Sequence, residues 1–299
     1  MHCFTLPLPL WHPEQRPPLA QMSSVNSWWY TEYAEDIHAA LRQKELKRAH
    51  FHYQSPQLQD RIGLVRWLSS KAEKLSLSLT TVHLAVYLLD VFMDNHSITA
   101  ERLKLVVLVC VLLAAKFEEQ EVNVPTARAL NTMVGGQYVI KDYTLLEIMV
   151  LRHLQWNLLL PTAAQFAQYY TREMTSAGDL RHAPHFASYR ELECHAYDCI
   201  KDYLDETLLD ISVHQFLPSV VASTCVLATR RHLDLTPEWT PTLGSLTGYE
   251  YRDLQPCLSW LLSLRQKQKL ASPDHGYVTE EGSPEVMKMK GMLSSKANH

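Results

Sequence analysis

Few side chains in this 299-residue sequence have the spacing of a catalytic or metal-binding group. His182 and His185 are separated like a metal-binding pair, but no cysteine or carboxylate completes a ligand cluster with them. A pair of loop histidines is therefore the simpler interpretation. Cys194 and Cys199 lie five residues apart on a predicted helix, which places them on different faces of that helix. These residues predict no metal site.

The sequence also lacks the short motifs of common enzymes and nucleotide-binding folds. It contains no GxGxxG, GxxxxGKS/T, HExxH or GxSxG pattern, and no HRD and DFG pair. No nucleophile, base and acid form a recognisable set, and no cofactor is indicated. We therefore expect a binding protein and not an enzyme.

One carboxylate lies in a strongly apolar segment. Asp90 falls within 80–95, which is apolar on nearly all sides and is typical of a buried helix. A buried carboxylate needs a cationic or hydrogen-bonding partner. Arg61 and Arg66 on the preceding predicted helix are the nearest candidates, and a structural ion pair is the simplest interpretation.

A second pair of charges lies at the edge of apolar helices. Lys116 ends the apolar run 105–115, where a cation is favourable at a helix C-terminus. Glu147 has Tyr143, Val150 and Leu151 as helical neighbours, so it lies on or beside an apolar stripe. From periodicity alone, Glu147 is a boundary residue without an assigned role.

The rest of the chain has the pattern of successive helices. Only nine glycines occur and 57–124 contains no proline, which disfavours architectures rich in tight β-turns. Ser55-Pro56 predicts a helix start, as an N-cap followed by proline at the first helical position. The segment 233–247 is expected to hold at most a short helical turn. Helices are predicted over 31–46, 55–74, 80–95, 99–117, 124–133, 141–156, 161–175, 186–209, 213–232 and 249–268.

The sequence contains a faint internal repeat. Apolar positions from Leu103 to Lys116 match those from Leu217 to Arg230 at a constant offset of 114. Apolar helices resemble one another easily, so this match alone is weak support for a duplicated five-helix unit.

Composition limits the class of partner and the compartment. Lys and Arg number 28 against 32 Asp and Glu, giving a net charge of −4, whereas nucleic-acid-binding domains are usually basic. Six scattered cysteines without a CxxC motif are typical of a reduced intracellular protein, in the nucleus or the cytoplasm. The longest apolar run is too short for the roughly 18 residues of a membrane span. We expect neither a nucleic-acid partner nor a membrane.

Several segments resemble the cyclin family. The resemblance is specific in the first half of the chain and looser in the second. The resemblance covers about 26–268 and implies an all-α fold of two tandem cyclin-box five-helix bundles. It implies two boxes (55–158 and 160–270) preceded by an N-terminal helix (26–50). Clustered prolines predict a disordered lead (1–25), and the absence of apolar periodicity predicts a flexible tail (271–299). The segments that carry the resemblance include Trp28-Trp29, His83 to Asp90, Leu112 to Glu119, Leu160 to Ala164 and Pro218 to Ala222.

The resemblance also implies a function, which is to bind and activate a cyclin-dependent kinase of the PSTAIRE type as a heterodimer. Lys116 and Glu147 match the lysine and glutamate with which cyclins hold the kinase beside its αC helix. Arg61 and Asp90 match a buried intramolecular pair that supports this surface. The residues expected to contact the kinase are Lys116, Glu147, Phe117, Glu118, Glu119, Tyr33, Ile37 and Leu41.

A substrate-docking groove around Leu64 and Trp67 is a further implication. In A-type cyclins the matching helix carries Met and Ile side chains that bind the leucine of an RxL peptide. Here Asp60 and Gly63 occupy those two positions, and Arg66 replaces an acid that would meet the arginine of the peptide. We therefore expect no binding of RxL peptides.

Two other functions remain open at this level. A cyclin-fold transcription factor would use the same box to hold DNA, but it should carry a basic face and usually a zinc ribbon. A helical scaffold would keep the fold without activating a kinase, and the retained Lys116 and Glu147 argue against it.

Overall fold

The structure is a computed structural model that describes residues 28–271, with side chains as far as Gln268. The described residues form α-helices and short 3₁₀ turns and contain no strand. The expected lead (1–25) and all but the first residue of the expected tail lie outside this range. The helices are α1 (Ala34–Glu45), α2 (Leu58–Lys74), α3 (Leu79–Asn95), α4 (Ala100–Glu118), α5 (Ala127–Thr132), α6 (Ile140–His153), α7 (Ala163–Tyr170), α8 (Tyr189–Thr207), α9 (Pro218–His232), α10 (Pro241–Thr247) and α11 (Tyr251–Ala271).

Helices α2 and α6 do not have the boundaries that the sequence predicted. Helix α2 begins at Leu58. Ser55 Oγ accepts a hydrogen bond from Gln57 N at 3.3 Å and donates one to Gln57 Oε1 at 2.6 Å, and these bonds close a turn that precedes the helix. Helix α6 ends at His153, three residues early, because Gln155 and Trp156 adopt left-handed backbone conformations with φ of 51° and 61°. The early end of α6 leaves Trp156 65% exposed.

The second half contains more breaks than the apolar pattern predicts. Residues 211–215 form a separate 3₁₀ turn, and α9 starts only at Pro218, which occupies the first helical turn. The segment 233–247, expected to hold only a short turn, contains the seven-residue α10. The Thr240 hydroxyl caps its start by accepting a hydrogen bond from Leu243 N, and Gly248 with φ of 74° ends it.

The first bundle consists of α2 to α6 around the central helix α4. Almost every residue of α4 between Leu105 and Ala115 is buried, as expected of a helix that is apolar on all sides. Helix α3 packs along α4 and is equally buried from Thr80 to Met93. The two helices that carry Asp90 and Lys116 are therefore held rigidly.

The second bundle consists of α7 to α11 around the central helix α9. Its core combines α7, α8, α9 and the first part of α11 with Leu41 of α1 and Trp29. The N-terminal helix thus packs against the second bundle of the chain, although it precedes the first in sequence. The expected N-terminal helix (26–50) is shorter than predicted and spans Ala34–Glu45.

The described residues divide into two units at Leu261, and both bundles lie in the first unit except for the last part of α11. The described part of the second unit is the α11 segment from Leu262 to Ala271. Within the described range, no helix has the length and apolar character needed to cross a bilayer.

Candidate functional site: a charged helix end on the first bundle

The two charges singled out at helix edges form an ion pair on the surface of the first bundle. Lys116 Nζ lies 2.5 Å from Glu147 Oε1, which joins the C-terminal end of α4 to α6. The Lys116 side chain is 48% exposed and that of Glu147 is 17% exposed. Lys116 is carried by the buried helix α4 and Glu147 by α6, which packs against α4, so a partner would meet a fixed pair of opposite charges.

Of the three residues after Lys116, the first has an exposed side chain and the other two form hydrogen bonds within the chain. Phe117 is 41% exposed. Glu119 Oε1 accepts hydrogen bonds from Ser78 N at 2.7 Å and Thr81 Oγ1 at 2.6 Å, so it caps the start of α3. Glu118 Oε1 accepts one from Gln165 Nε2 at 2.7 Å, and burial raises the pKa of Glu118 above its usual value. The carboxylates fix the helix end from which Phe117 projects.

A cleft of about 570 Å³ opens beside this helix end. Phe117 and Glu118 line one part of it, and Trp28 and Gln168 line another. Trp28 stacks on Tyr169 with ring centroids 5.5 Å apart, which fixes the start of the described chain to α7. The cleft is large enough for a side chain of a partner protein.

The three apolar residues expected to contact a kinase from α1 are unequally available. Tyr33 is 59% exposed, Ile37 is half-buried, and Leu41 is buried in the second core at 6% exposure. Tyr33 is therefore the most accessible of the three side chains, Ile37 is partly accessible and Leu41 is not accessible. Leu41 holds the helix in place from its other side.

Helix α1 is fixed to the second bundle by a buried carboxylate that the sequence did not reveal. Glu45 is 1% exposed and accepts hydrogen bonds from Ser219 N at 3.0 Å and Ser219 Oγ at 2.7 Å. Ser219 lies in the first turn of α9, where free N–H groups and the helix dipole favour an anion. Arg42 pairs with the same carboxylate at 3.2 Å. The presentation of Tyr33 therefore depends on Glu45.

The buried Asp90 carboxylate has Arg61 as its partner. Arg61 Nε and Nη2 each donate to Asp90 at 2.7 Å, and Arg61 Nη1 donates to the Leu208 carbonyl at 2.9 Å. Arg66, the other candidate, is exposed. Burial alone would raise the pKa of Asp90, but the Arg61 guanidinium and His214 hold it below its usual value. The pair thus ties α2 and α3 to the end of α8 in the second bundle.

His214 is a third member of this cluster that sequence reasoning missed. Its Nε2 lies 2.8 Å from Asp90 Oδ2, and its Nδ1 lies 3.2 Å from Arg48 Nη2. Because a guanidinium only donates, Nδ1 must accept and Nε2 must donate to the carboxylate. Burial lowers the pKa of His214, which agrees with a neutral ring, and Phe51 stacks on it at 4.1 Å.

The two residues of the expected docking groove differ in burial. Leu64 is 8% exposed and belongs to the first core, whereas Trp67 is half-buried at the surface of α2. His182 and His185 lie between a 3₁₀ turn and α8, and no group of three or more His, Cys, Asp or Glu side chains in the described range is arranged to hold a metal ion.

Comparison with known proteins identifies the family to which these helices belong. The model of the cyclin N-terminal domain matches residues 36–159, and that of the cyclin C-terminal domain matches 161–289. The chain therefore belongs to the cyclin family. The expectation of an all-α protein with two tandem cyclin domains is confirmed.

Similar proteins point to one branch of the family. Cyclin-J of Xenopus laevis is 37% identical over 240 residues, covering 79% of this chain and 62% of the relative. Cyclin-J of Homo sapiens is 37% identical over 246 residues, covering 81% of this chain and 63% of the relative. The chain thus spans less than two thirds of these relatives. A viral cyclin from herpesvirus saimiri has the same fold, with a TM-score of 0.64 at 17% identity over 77% of this chain and 97% of the viral one.

Proposed function

We propose that this cyclin is the regulatory subunit of a heterodimer with a PSTAIRE-type cyclin-dependent serine/threonine kinase, which it activates by holding the kinase αC helix inward. The chain itself carries out no chemistry in this proposal. The observation that carries it is the exposed Lys116–Glu147 pair at the rigid end of α4. Phe117 and Tyr33 supply the exposed apolar surface that accompanies this pair.

The geometry suits recognition of a helix end or of a helical surface. Lys116 offers hydrogen-bond donors and Glu147 offers acceptors, so the pair can bind backbone and side-chain groups of both kinds. In the free chain the two charges satisfy each other at 2.5 Å. A kinase would therefore replace part of an existing ion pair and would not have to desolvate isolated charges.

Activation follows from how kinases are switched. A protein kinase is active only when an ion pair between its β3 lysine and its αC glutamate is formed, and the position of αC controls this pair. A cyclin surface that binds only the inward αC shifts the population of the kinase toward the active state. The shift is limited by the difference in affinity for the two states, and a change from 1:99 to 99:1 requires about 10⁴-fold.

The experiment that tests this function measures phosphoryl transfer by a purified PSTAIRE-type kinase with and without the full chain, together with direct binding. Stimulated transfer with saturable binding supports the proposal. Binding without stimulation would identify a non-activating scaffold. Absence of binding, with retention of DNA by the chain, would favour a cyclin-fold transcription factor instead.

A further inference from the structure

A small cavity lies at the junction of the two bundles. Its volume of about 40 Å³ gives room for one small ion or a few water molecules. Helix α3 of the first bundle contributes one wall, and α7, α8 and α9 of the second bundle contribute others. A group bound there would touch both halves of the fold.

The polar part of the lining is one face of α3 together with the side chains that lie against it. His83, Tyr87 and Asp90 follow one another at helical spacing, and all three line the cavity. Arg48 lies over the Tyr87 ring, with its Cζ 4.5 Å from the ring centre. Its Nη2 lies 3.2 Å from His214 Nδ1, and His214 Nε2 lies 2.8 Å from Asp90 Oδ2. These contacts place the Arg48 guanidinium beside the same face of α3 that carries His83, one turn before Tyr87.

The cationic groups of the lining outnumber the anionic ones. Among the described residues, Asp90 is the one acidic side chain of the lining, and it is paired with Arg61 at 2.7 Å. Arg48 has no carboxylate within ion-pair distance in the described part of the chain. Burial lowers the pKa of both His83 and His214, so neither ring adds a charge at neutral pH. One positive charge at the cavity is therefore uncompensated, which favours an anion as the occupant.

The unpaired polar atoms of these side chains can donate hydrogen bonds. Arg48 Nε and His83 Nε2 are both buried without a hydrogen-bond partner among the described residues. A guanidinium nitrogen only donates, and a neutral imidazole donates from Nε2 in one of its two tautomers. The Asp90 oxygens already accept hydrogen bonds from Arg61 and His214. A ligand that only accepts suits this lining better than water, which must also donate.

We propose that this cavity binds a small monovalent inorganic anion of the chloride class. The anion accepts hydrogen bonds from Arg48 Nε and His83 Nε2 and compensates the unpaired guanidinium. Arg48 lies three residues after the end of α1 and His83 belongs to α3, so the anion fixes the connection after α1 to the first bundle. This site goes beyond the proposed function, and its occupancy is measured without a kinase.

The first test is thermal unfolding of the full chain in chloride and in gluconate, at constant sodium concentration and ionic strength. Gluconate is a monovalent anion that is too large for the cavity. Replacing it with up to about 200 mM chloride should raise the melting temperature by at least about 2 °C along a saturating curve, because a ligand that binds only the folded state stabilises it by mass action. Bromide should act like chloride. Equal melting temperatures in chloride and gluconate would overturn the proposal.

Two arginine variants separate binding in the cavity from general salt effects. Arg48→Met removes the donor at the cavity and should abolish the chloride dependence. Arg66→Met removes the same charge from an exposed position on α2 and should keep that dependence. Equal chloride dependence of Arg48→Met and the parent would overturn the proposal.

Bromide anomalous diffraction of the parent chain gives an answer that does not depend on the folding of a variant. We expect an anomalous peak within hydrogen-bond distance of Arg48 Nε and His83 Nε2. Water at that position without an anomalous signal would overturn the proposal. A peak without chloride-dependent melting would identify an adventitious ion only and would overturn it as well.

Discussion

Lys116 and Arg230 occupy equivalent positions in the two bundles but have opposite environments. Each lies two residues before the end of its central helix, α4 or α9. The Lys116 side chain is 48% exposed, whereas that of Arg230 is 1% exposed and donates to Asp179 at 2.9 Å and to the Pro237 carbonyl at 2.9 Å. Arg230 is thus fully engaged inside the second bundle, whereas Lys116 remains accessible to a partner on the first.

The Arg61–Asp90 pair should contribute strongly to stability. Arg61→Ala strands a buried carboxylate and frees the Leu208 carbonyl, and we expect the free energy of unfolding to fall by about 3–5 kcal/mol. Chemical denaturation of the parent and variant measures this difference. Arg66→Ala, on the exposed side of the same helix, is the matched control and should change stability by less than about 0.5 kcal/mol. Equal unfolding midpoints for Arg61→Ala and the parent would contradict the buried pair.

Helix α1 should detach from the second bundle when its buried carboxylate is removed. Glu45→Ala leaves Ser219 N without its acceptor and removes the ion-pair partner of Arg42, and hydrogen bonds to a charged group each contribute about 1.5–3 kcal/mol. Hydrogen exchange of α1 amides should therefore accelerate clearly. Glu45→Gln keeps one acceptor oxygen and should have an intermediate rate. Unchanged exchange in Glu45→Ala would show that the Glu45 carboxylate is not needed to hold the helix.

Acid should destabilise the chain partly through one buried histidine. Burial lowers the pKa of His83 from 6.5 to about 3, and its Nε2 has no hydrogen-bond partner among the described residues. The unfolded state therefore binds one more proton than the folded state between these values, and stability falls as the pH drops from about 6.5 toward 3.

The size of this effect is set by linkage. His83 contributes a slope of about 1.4 kcal/mol per pH unit within that window. Asp205, whose pKa burial raises to about 6, acts in the opposite direction near pH 4 to 6. The comparison is therefore between the parent and His83→Gln, whose stability should depend less on pH. Parallel curves for the two proteins would show that His83 is accessible to protons in the folded state.

Replacing the glycine on α2 should stabilise the chain, in contrast to Arg61→Ala and Glu45→Ala. Gly63→Ala should raise the free energy of unfolding by about 0.5–1 kcal/mol, because alanine restricts the unfolded chain and its Cβ meets open space. Thermal unfolding measures the change. A lower melting temperature would mean that the space over Gly63 is occupied in solution.

Local patterns predicted most of the helices, because helix formation depends on neighbouring residues. Lys116 and Glu147 lie 31 residues apart and were associated with one another only through the resemblance to cyclins. The all-sided apolar character of 105–115 is sufficient to place α4 at the centre of a bundle. The clusters that join the bundles could not be predicted in this way. His214 lies 124 residues from Asp90, and Ser219 lies 174 residues from Glu45, so no periodicity connects them. Glu45 also lies in a helix whose other acidic residues, Glu35 and Asp36, are exposed.

The two helix boundaries that were predicted wrongly depend on a local side-chain hydrogen bond and on left-handed backbone conformations. Ser55 and Pro56 have the composition of a helix start, but the Ser55 hydroxyl bonds to the Gln57 side chain. Trp156 fits the apolar pattern of α6, yet its left-handed backbone ends that helix early and leaves the ring exposed. The exposure of Trp156 is a feature that only the structure reveals.

The affinity of a PSTAIRE-type kinase for the Lys116→Ala/Glu147→Ala variant tests the central claim most directly. In the isolated chain this partly exposed pair contributes at most about 1 kcal/mol, so the melting temperature should change little. At an interface, removing such a charged contact costs about 2–5 kcal/mol, and each 1.4 kcal/mol is ten-fold in affinity. We predict that either single variant weakens binding about 30-fold or more and that the double variant binds almost nothing. The matched control Arg231→Ala/Glu238→Ala removes an exposed ion pair beside the other central helix and should bind like the parent. Parental affinity of the Lys116→Ala/Glu147→Ala variant would contradict the account.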